Sequence, residues 1–243
     1  MCGIAGIVSA EPESQISAML TAIEHRGRDD EGVWTSAPIN DGLRACLGHR
    51  RLSIIDTSKA GHEPMISQNA RFVITFNGEI YNYRELRAEL AAKGHQFRTQ
   101  TDTEVLLTAW QEWGEAALPR LNGMFAFALW DDQKRSLFLV RDRVGIKPFY
   151  YAHVYDKLKF VELAFASEVK SILASGSIKA ELDRESLHQF LTFLWVPDPN
   201  TLFRGVKTVP PGHLVEWRDG EINVRQWWDI SFAEIEEGKS EPW

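Results

Sequence analysis

Cys2 directly follows the initiator methionine, so removal of Met1 leaves a thiol and a free α-amine on one residue. An α-amine titrates at about 7.7–8.0 and a thiol near 8.5, so the amine can act as the local base, directly or through a water, with no histidine required. Most lone cysteines are simply small buried side chains, and on position alone that reading of Cys2 is the stronger. Cys46, inside an apolar run, is read as a buried inert thiol. Asn77-Gly78 taken in isolation is the commonest hairpin turn. Asp102 stands where a helix N-cap would stand, ahead of a helix beginning at Thr103. Arg50 and Arg51, taken alone, are surface arginines.

The rest of the chain narrows the classes open to these residues. With 243 residues, 44% hydrophobic and 25% charged, it suits one large domain or one domain plus a tail, and needs no disulfide framework or structural metal. A formal net charge of -7 with no run of Lys and Arg disfavours nucleic acid as a partner. The two cysteines lack CxxC spacing, against a zinc site. The longest apolar run, Met124 to Trp130, is too short to span a bilayer, and the start lacks the basic region of a secretory signal. The expectation is a cytoplasmic protein with no membrane partner.

Strands are expected at Gly3–Ser9, Val33–Thr35, Ala45–Leu47, Leu52–Ile55 and Arg71–Phe76, with a polar turn at 29–32 and another at Asn77-Gly78. Helices are expected from Ser14 to Ile23 and from Asn82 to Lys93. In a third, ending at Gly114, Leu106, Ala109, Trp110 and Trp113 share a face. Phe125–Trp130 and Ser136–Arg141 read as a hairpin, Phe149–Tyr151 and Phe160–Ala166 as strands, Ser167–Ala174 and Arg184–Phe193 as helices. Leu214–Arg225 reads as a last polar hairpin turning at Asp219-Gly220. Antiparallel hairpins with grouped helices indicate α+β rather than a parallel βαβ sheet. Adjacent Trp227 and Trp228 should face opposite sides of a strand, leaving one for a further domain to cover.

Seven runs then occur in a recognisable order: MCGIAGIVS, HRGRDDEG, LGHRRLSIIDTS, FNGEIYNYRELRAEL, TQTDTEVLL, LNGMFAFALWD and RDRVGIKPFYY. They resemble class II glutamine amidotransferase domains, and most of all the glutaminase half of the glutamine-hydrolysing asparagine synthetase family. The similarity runs from Cys2 to about Lys170 and continues more weakly through LTFLWVPDPNTLFRGVKTVPPGHLVEWRDG. The resemblance implies the N-terminal nucleophile hydrolase fold, a four-layer αββα sandwich of two antiparallel sheets between helices.

It also implies roles. Cys2 becomes the nucleophile that hydrolyses L-glutamine. Arg51 pairs with the substrate α-carboxylate through two parallel hydrogen bonds, and Leu52, Ser53, Ile54 and Ile55 line the pocket. Asn77 and Gly78 form the oxyanion hole, Glu79 contributes to the glutamine site, and Asp102 takes the α-ammonium. Arg26 helps to order the site. The family's usual Pro after HRG is Arg28 here, which loosens that turn rather than altering the chemistry.

The expected organisation is a glutaminase domain over 2–175 and a connector over 176–243. That connector points toward an ATP-pyrophosphatase synthetase domain, whose Ser-Gly-Gly-x-Asp-Ser loop does not occur in these residues. No metal or cofactor is expected in this chain, since ATP and Mg belong to the synthetase domain. A homodimer is left open. Two other readings stand beside this one. One is the glutaminase domain of another class II enzyme, against which PPGHLVEWRDG argues. The other is a non-catalytic glutamine-sensing module, against which Cys2, Arg51, Asn77, Gly78 and Asp102 argue.

Overall fold

The computed structural model describes residues 1–39, 42–53, 55–56, 58–157 and 159–231. The expectations for Ile54 and for the acidic tail Glu234–Trp243 fall outside these residues. Among the described residues no helix is long and apolar enough to cross a membrane.

With strands numbered along the chain, the first sheet has the order β10 (Val206–Thr208), β8 (Tyr150–Asp156), β9 (Lys159–Ala166), β1 (Gly3–Ser9), β3 (Arg44–Arg51) and β2 (Asp30–Thr35). The second has the order β12 (Glu221–Gln226), β11 (His213–Arg218), β7 (Ser136–Arg141), β6 (Gly123–Asp131), β5 (Phe72–Ile80) and β4 (Met65–Ile66). Neighbouring strands are antiparallel throughout.

Strand side chains alternate between faces, and here each face meets a different layer. Ile4 and Val8 of β1, Leu47 of β3, Val73 of β5 and Ala126, Ala128 and Trp130 of β6 pack together between the sheets. Ala5, Ile7 and Cys46, one residue out of phase, pack with Ile16, Met19 and Leu20 of α1 (Pro12–Ala22) and Ile172 of α4 (Val169–Ala174). On the far side Ile74, Phe76 and Phe127 meet Leu86 and Leu90 of α2 (Tyr83–Ala92) and Leu106 and Trp110 of α3 (Asp102–Trp113). The result is an αββα sandwich, the expected class. Each fully buried large side chain contributes about 1.5–3 kcal/mol, so the middle layer resists any slip that would carry polar side chains inward.

Several local expectations give way to tertiary context. Asn77-Gly78 is not a turn but lies within β5, paired with Ala126 and Phe125 of β6. Asp30 to Gly32 opens β2 rather than a turn. Leu52, Ser53 and Ile55 lie outside any strand, because β3 ends at Arg51. Helix α1 starts at Pro12, whose fixed φ suits the first helical turn, with Ser14 Oγ turned back to donate to Glu11 O at 2.9 Å. The segment expected as a connector instead supplies β10 to one sheet and β11 and β12 to the other, with Val215 and Trp217 in the middle layer. Trp227 stacks on Phe125 at 6.1 Å and Trp228 lies against the Arg143 guanidinium, so both are half-buried within the domain.

Candidate active site

The inter-sheet layer turns polar at one end. On β3 the inward positions run Ala45, Leu47, His49, Arg51, and on β5 they run Val73, Thr75, Asn77. Cys2 precedes β1 on the face that Ile4 occupies. Extending the β1–β3 register by one residue sets it opposite Arg51. The sandwich thus brings residues from both sheets around a pocket of about 150 Å³. Its lining includes Cys2, Arg51, Leu52, Ile55, Asn77, Gly78, Glu79 and Asp102 from the sequence-based set. Ser53 instead faces an adjoining cleft, its N–H donating to Asp29 Oδ2 at 2.8 Å.

Cys2 is pinned from behind. Arg26 Nε donates to Cys2 O at 2.9 Å, while its Nη1 donates to Glu168 Oε1 at 2.9 Å. Burial opposes ionisation of Glu168, but Arg26, His25 and Lys170 outweigh it and hold its pKa at about 2. Arg26 therefore sits in an anchored ion pair, where the sequence expectation put a site-ordering residue. The Leu52 N–H donates to Cys2 Sγ at 3.4 Å. Met1 stands at the pocket mouth, 58% exposed, with Lys147 Nζ 3.5 Å from its sulfur.

Arg51 is buried, and its guanidinium donates to the main-chain carbonyls of Ser58 and Asp56. Among the described residues no carboxylate sits at bonding distance from it, so its charge is available to an anion. Gly61 packs beneath the guanidinium, where a Cβ would strike Nη2.

Asp102 is not the cap of its helix. Thr101 caps α3 by accepting the Glu104 N–H, and Asp102 is the first helical residue. One carboxylate oxygen accepts the Ile80 N–H at 3.0 Å, leaving the other for a ligand. Burial, opposed by that bond and reinforced by Glu63 and Glu79, raises its pKa to about 6.

The edge of β5 supplies the remaining polarity. Strand N–H groups alternate sides. The Phe76 N–H donates to Glu63 Oε2 at 2.7 Å and the Ile80 N–H to Asp102 Oδ2. The Gly78 N–H falls between them on the same edge, in the pocket lining. A Cβ at Gly78 would meet Met124 O, so only glycine allows the two strands this close. Beside it Asn77 is 1% exposed and its Nδ2 has no hydrogen-bond partner. A buried amide left unpaired costs about 1–3 kcal/mol, a cost that a ligand oxygen removes.

Sequence reasoning missed three site residues. His49 shares a face with Arg51 two positions on, a signal that period-two alternation could have yielded. Lys147 lay inside a quoted motif but drew no role. Its loop is held by Asp142, which accepts the N–H groups of Phe125, Val144, Ile146 and Lys147. Burial and Arg26 lower the Lys147 pKa against the pull of Glu79, Asp142 and Cys2. Glu63 had no local signal at all. Among the described residues no cluster of His, Cys, Asp and Glu is arranged to hold a metal ion.

Comparison with known proteins identifies the family. Residues 1–228 match the family described as glutamine amidotransferase domain. Asparagine synthetase [glutamine-hydrolyzing] 1 of Bacillus subtilis is 39% identical over 97% of this chain and 37% of its own length. Asparagine synthetase [glutamine-hydrolyzing] 3 of the same organism is 37% identical over 95% of this chain and 37% of its own length. The chain thus spans little more than a third of the length of these relatives. Among solved structures, the glutamine phosphoribosylpyrophosphate amidotransferase from B. subtilis superposes with a TM-score of 0.69 over 93% of this chain and 49% of that one, at 19% identity. At that identity the likeness is one of fold.

Proposed function

We propose that this chain, which belongs to the glutamine amidotransferase domain family, hydrolyses the side-chain amide of L-glutamine at Cys2. The observation that carries the reading is the unpartnered, buried Asn77 Nδ2 sharing one pocket with the Cys2 thiol. With Met1 removed, the α-amine of Cys2 takes the thiol proton, directly or through a water. The sulfur attacks the side-chain carbonyl carbon. The oxygen, now negative, is received by Asn77 Nδ2 and the Gly78 N–H. The ammonium form of the α-amine returns its proton to the leaving nitrogen, and ammonia departs from a thioester. Water, deprotonated by the same amine, cleaves the thioester to glutamate and restores the thiol.

The substrate is held at its other end. Arg51 pairs with the α-carboxylate, and Asp102 with Glu79 takes the α-ammonium. Leu52 and Ile55 flank the aliphatic stem. The names of the relatives couple glutamine hydrolysis to asparagine synthesis. In this reading the ammonia made here serves an amide-forming synthetase domain in a cytoplasmic enzyme, and ATP and Mg act only there.

Trimmed protein should release glutamate and ammonia in equal amounts without ATP, Mg or aspartate, and Cys2→Ala should release neither. Hydrolysis that survives in Cys2→Ala, or in protein retaining Met1, would overturn the mechanism.

A further inference from the structure

Glu63 reaches the site from a loop and touches three elements at once. It accepts the Phe76 N–H of β5 at 2.7 Å, accepts the Thr103 hydroxyl of α3 at 2.9 Å, and lies 3.2 Å from His49 Nδ1 of β3. Thr103 and Phe76 are the chain neighbours of Asp102 and Asn77. The Thr75 hydroxyl donates to Gly48 O at 3.1 Å and is thereby left to accept from His49 Nδ1, 3.0 Å away. His49 is 1% exposed and Glu63 7%. Its other ring nitrogen, Nε2, is buried without a hydrogen-bond partner.

Such a carboxylate creates a problem. It steadies the strand edge that presents the Gly78 N–H, yet a bare anion there opposes the negative oxygen that must form one residue on. Glu79 and Asp102 already add negative charge, and among the described residues Arg51 and Lys147 are the cationic side chains of the pocket lining.

We propose that His49 and Glu63 form a charge-compensated brace for the oxyanion hole, in which Glu63 fixes the Phe76–Gly78 edge and His49 cancels its charge. The proposal rests on the glutaminase reading above and gives both residues a positioning role, Glu63 acting through the β5 edge and His49 through Glu63. Geometry fixes the Nδ1 side as the donor. Although burial disfavours the imidazolium, Glu63 and the Cys2 sulfur outweigh it and push the His49 pKa up to about 10.

The test is a charge-compensation cycle on trimmed full-length protein. His49→Gln leaves the carboxylate unbalanced and should lower kcat by about 10- to 100-fold, part of the roughly 10²–10³ that an oxyanion donor is worth, with little change in the glutamine KM. Adding Glu63→Gln to that variant replaces the ion pair by a neutral amide pair and should restore most of kcat. A purely structural brace predicts instead that the double variant is no better than the single one, and that result would overturn the proposal. Nitrogen-15 NMR of the wild-type imidazole gives an answer even if a variant fails to fold. His49 should be protonated on both nitrogens from pH 6 to 9, and a neutral ring at pH 7 would refute the compensation. A failed glutaminase reading is recognised separately, by a wild-type protein that releases no glutamate while the NMR result stands.

Discussion

Replacing Asp102 by Asn should stabilise the fold while damaging the enzyme, and the two effects follow from one carboxylate. Burial is the main reason its pKa rises from 3.8 to about 6. A folded-state pKa above the unfolded value means that the fold favours the protonated acid. Ionised Asp102 therefore costs stability, nothing below about pH 4, increasingly between pH 4 and 6, and fully above pH 6. A shift of about two pH units corresponds to ~3 kcal/mol at 1.36 kcal/mol per unit. Asparagine carries no charge to desolvate, and its side-chain oxygen can still accept the Ile80 N–H. Urea unfolding at pH 8 should thus show Asp102→Asn more stable than wild type by up to ~3 kcal/mol, with the gap narrowing toward pH 5. In the proposed mechanism the same change removes the partner of the substrate ammonium, a charged hydrogen bond worth about 1.5–3 kcal/mol, and kcat/KM should fall by roughly 10- to 100-fold. A variant less stable than wild type at pH 8, or a gap that does not move with pH, would refute this account of the buried carboxylate.

Two further substitutions separate the halves of the pocket. Asn77→Ala should lower kcat by about 10²–10³ with little effect on KM, because the oxyanion exists only in the transition state. Arg51→Ala should instead raise KM, and steady-state kinetics that exchanged these phenotypes would reverse the assignments. Gly61→Ala should mimic Arg51→Ala in milder form, since the new methyl group displaces the guanidinium; an unchanged KM would show that the position of the guanidinium does not matter.

Much of the sandwich was legible in the linear pattern. The strand runs read at Gly3–Ser9 and Phe125–Trp130, and the helical spacing of Leu106, Ala109 and Trp110, come from local geometry and survive in the structure. Cys2 drew attention by its place beside Met1, but only the resemblance set it above an ordinary buried thiol, and the structure places it in the pocket lining. Asn77, Gly78 and Asp102, which share the pocket lining, were singled out through resemblance, while their local signals pointed to a turn and a cap.

Those local signals failed for a physical reason. Asn-Gly favours a turn only where nothing competes, and here nine residues of β5 pair with β6. Capping by Thr101 rather than Asp102 depends on the carboxylate being drawn away to Ile80, 22 residues earlier. Glu63 shows the limit most clearly, since its partners lie 13 and 40 residues further along and 14 residues before it in the chain. Residue types and their order determined which chemistry this chain carries. Only closure of the two sheets, which no short window of sequence encodes, decided which N–H groups the carboxylates occupy and set Gly78 between them in the pocket lining.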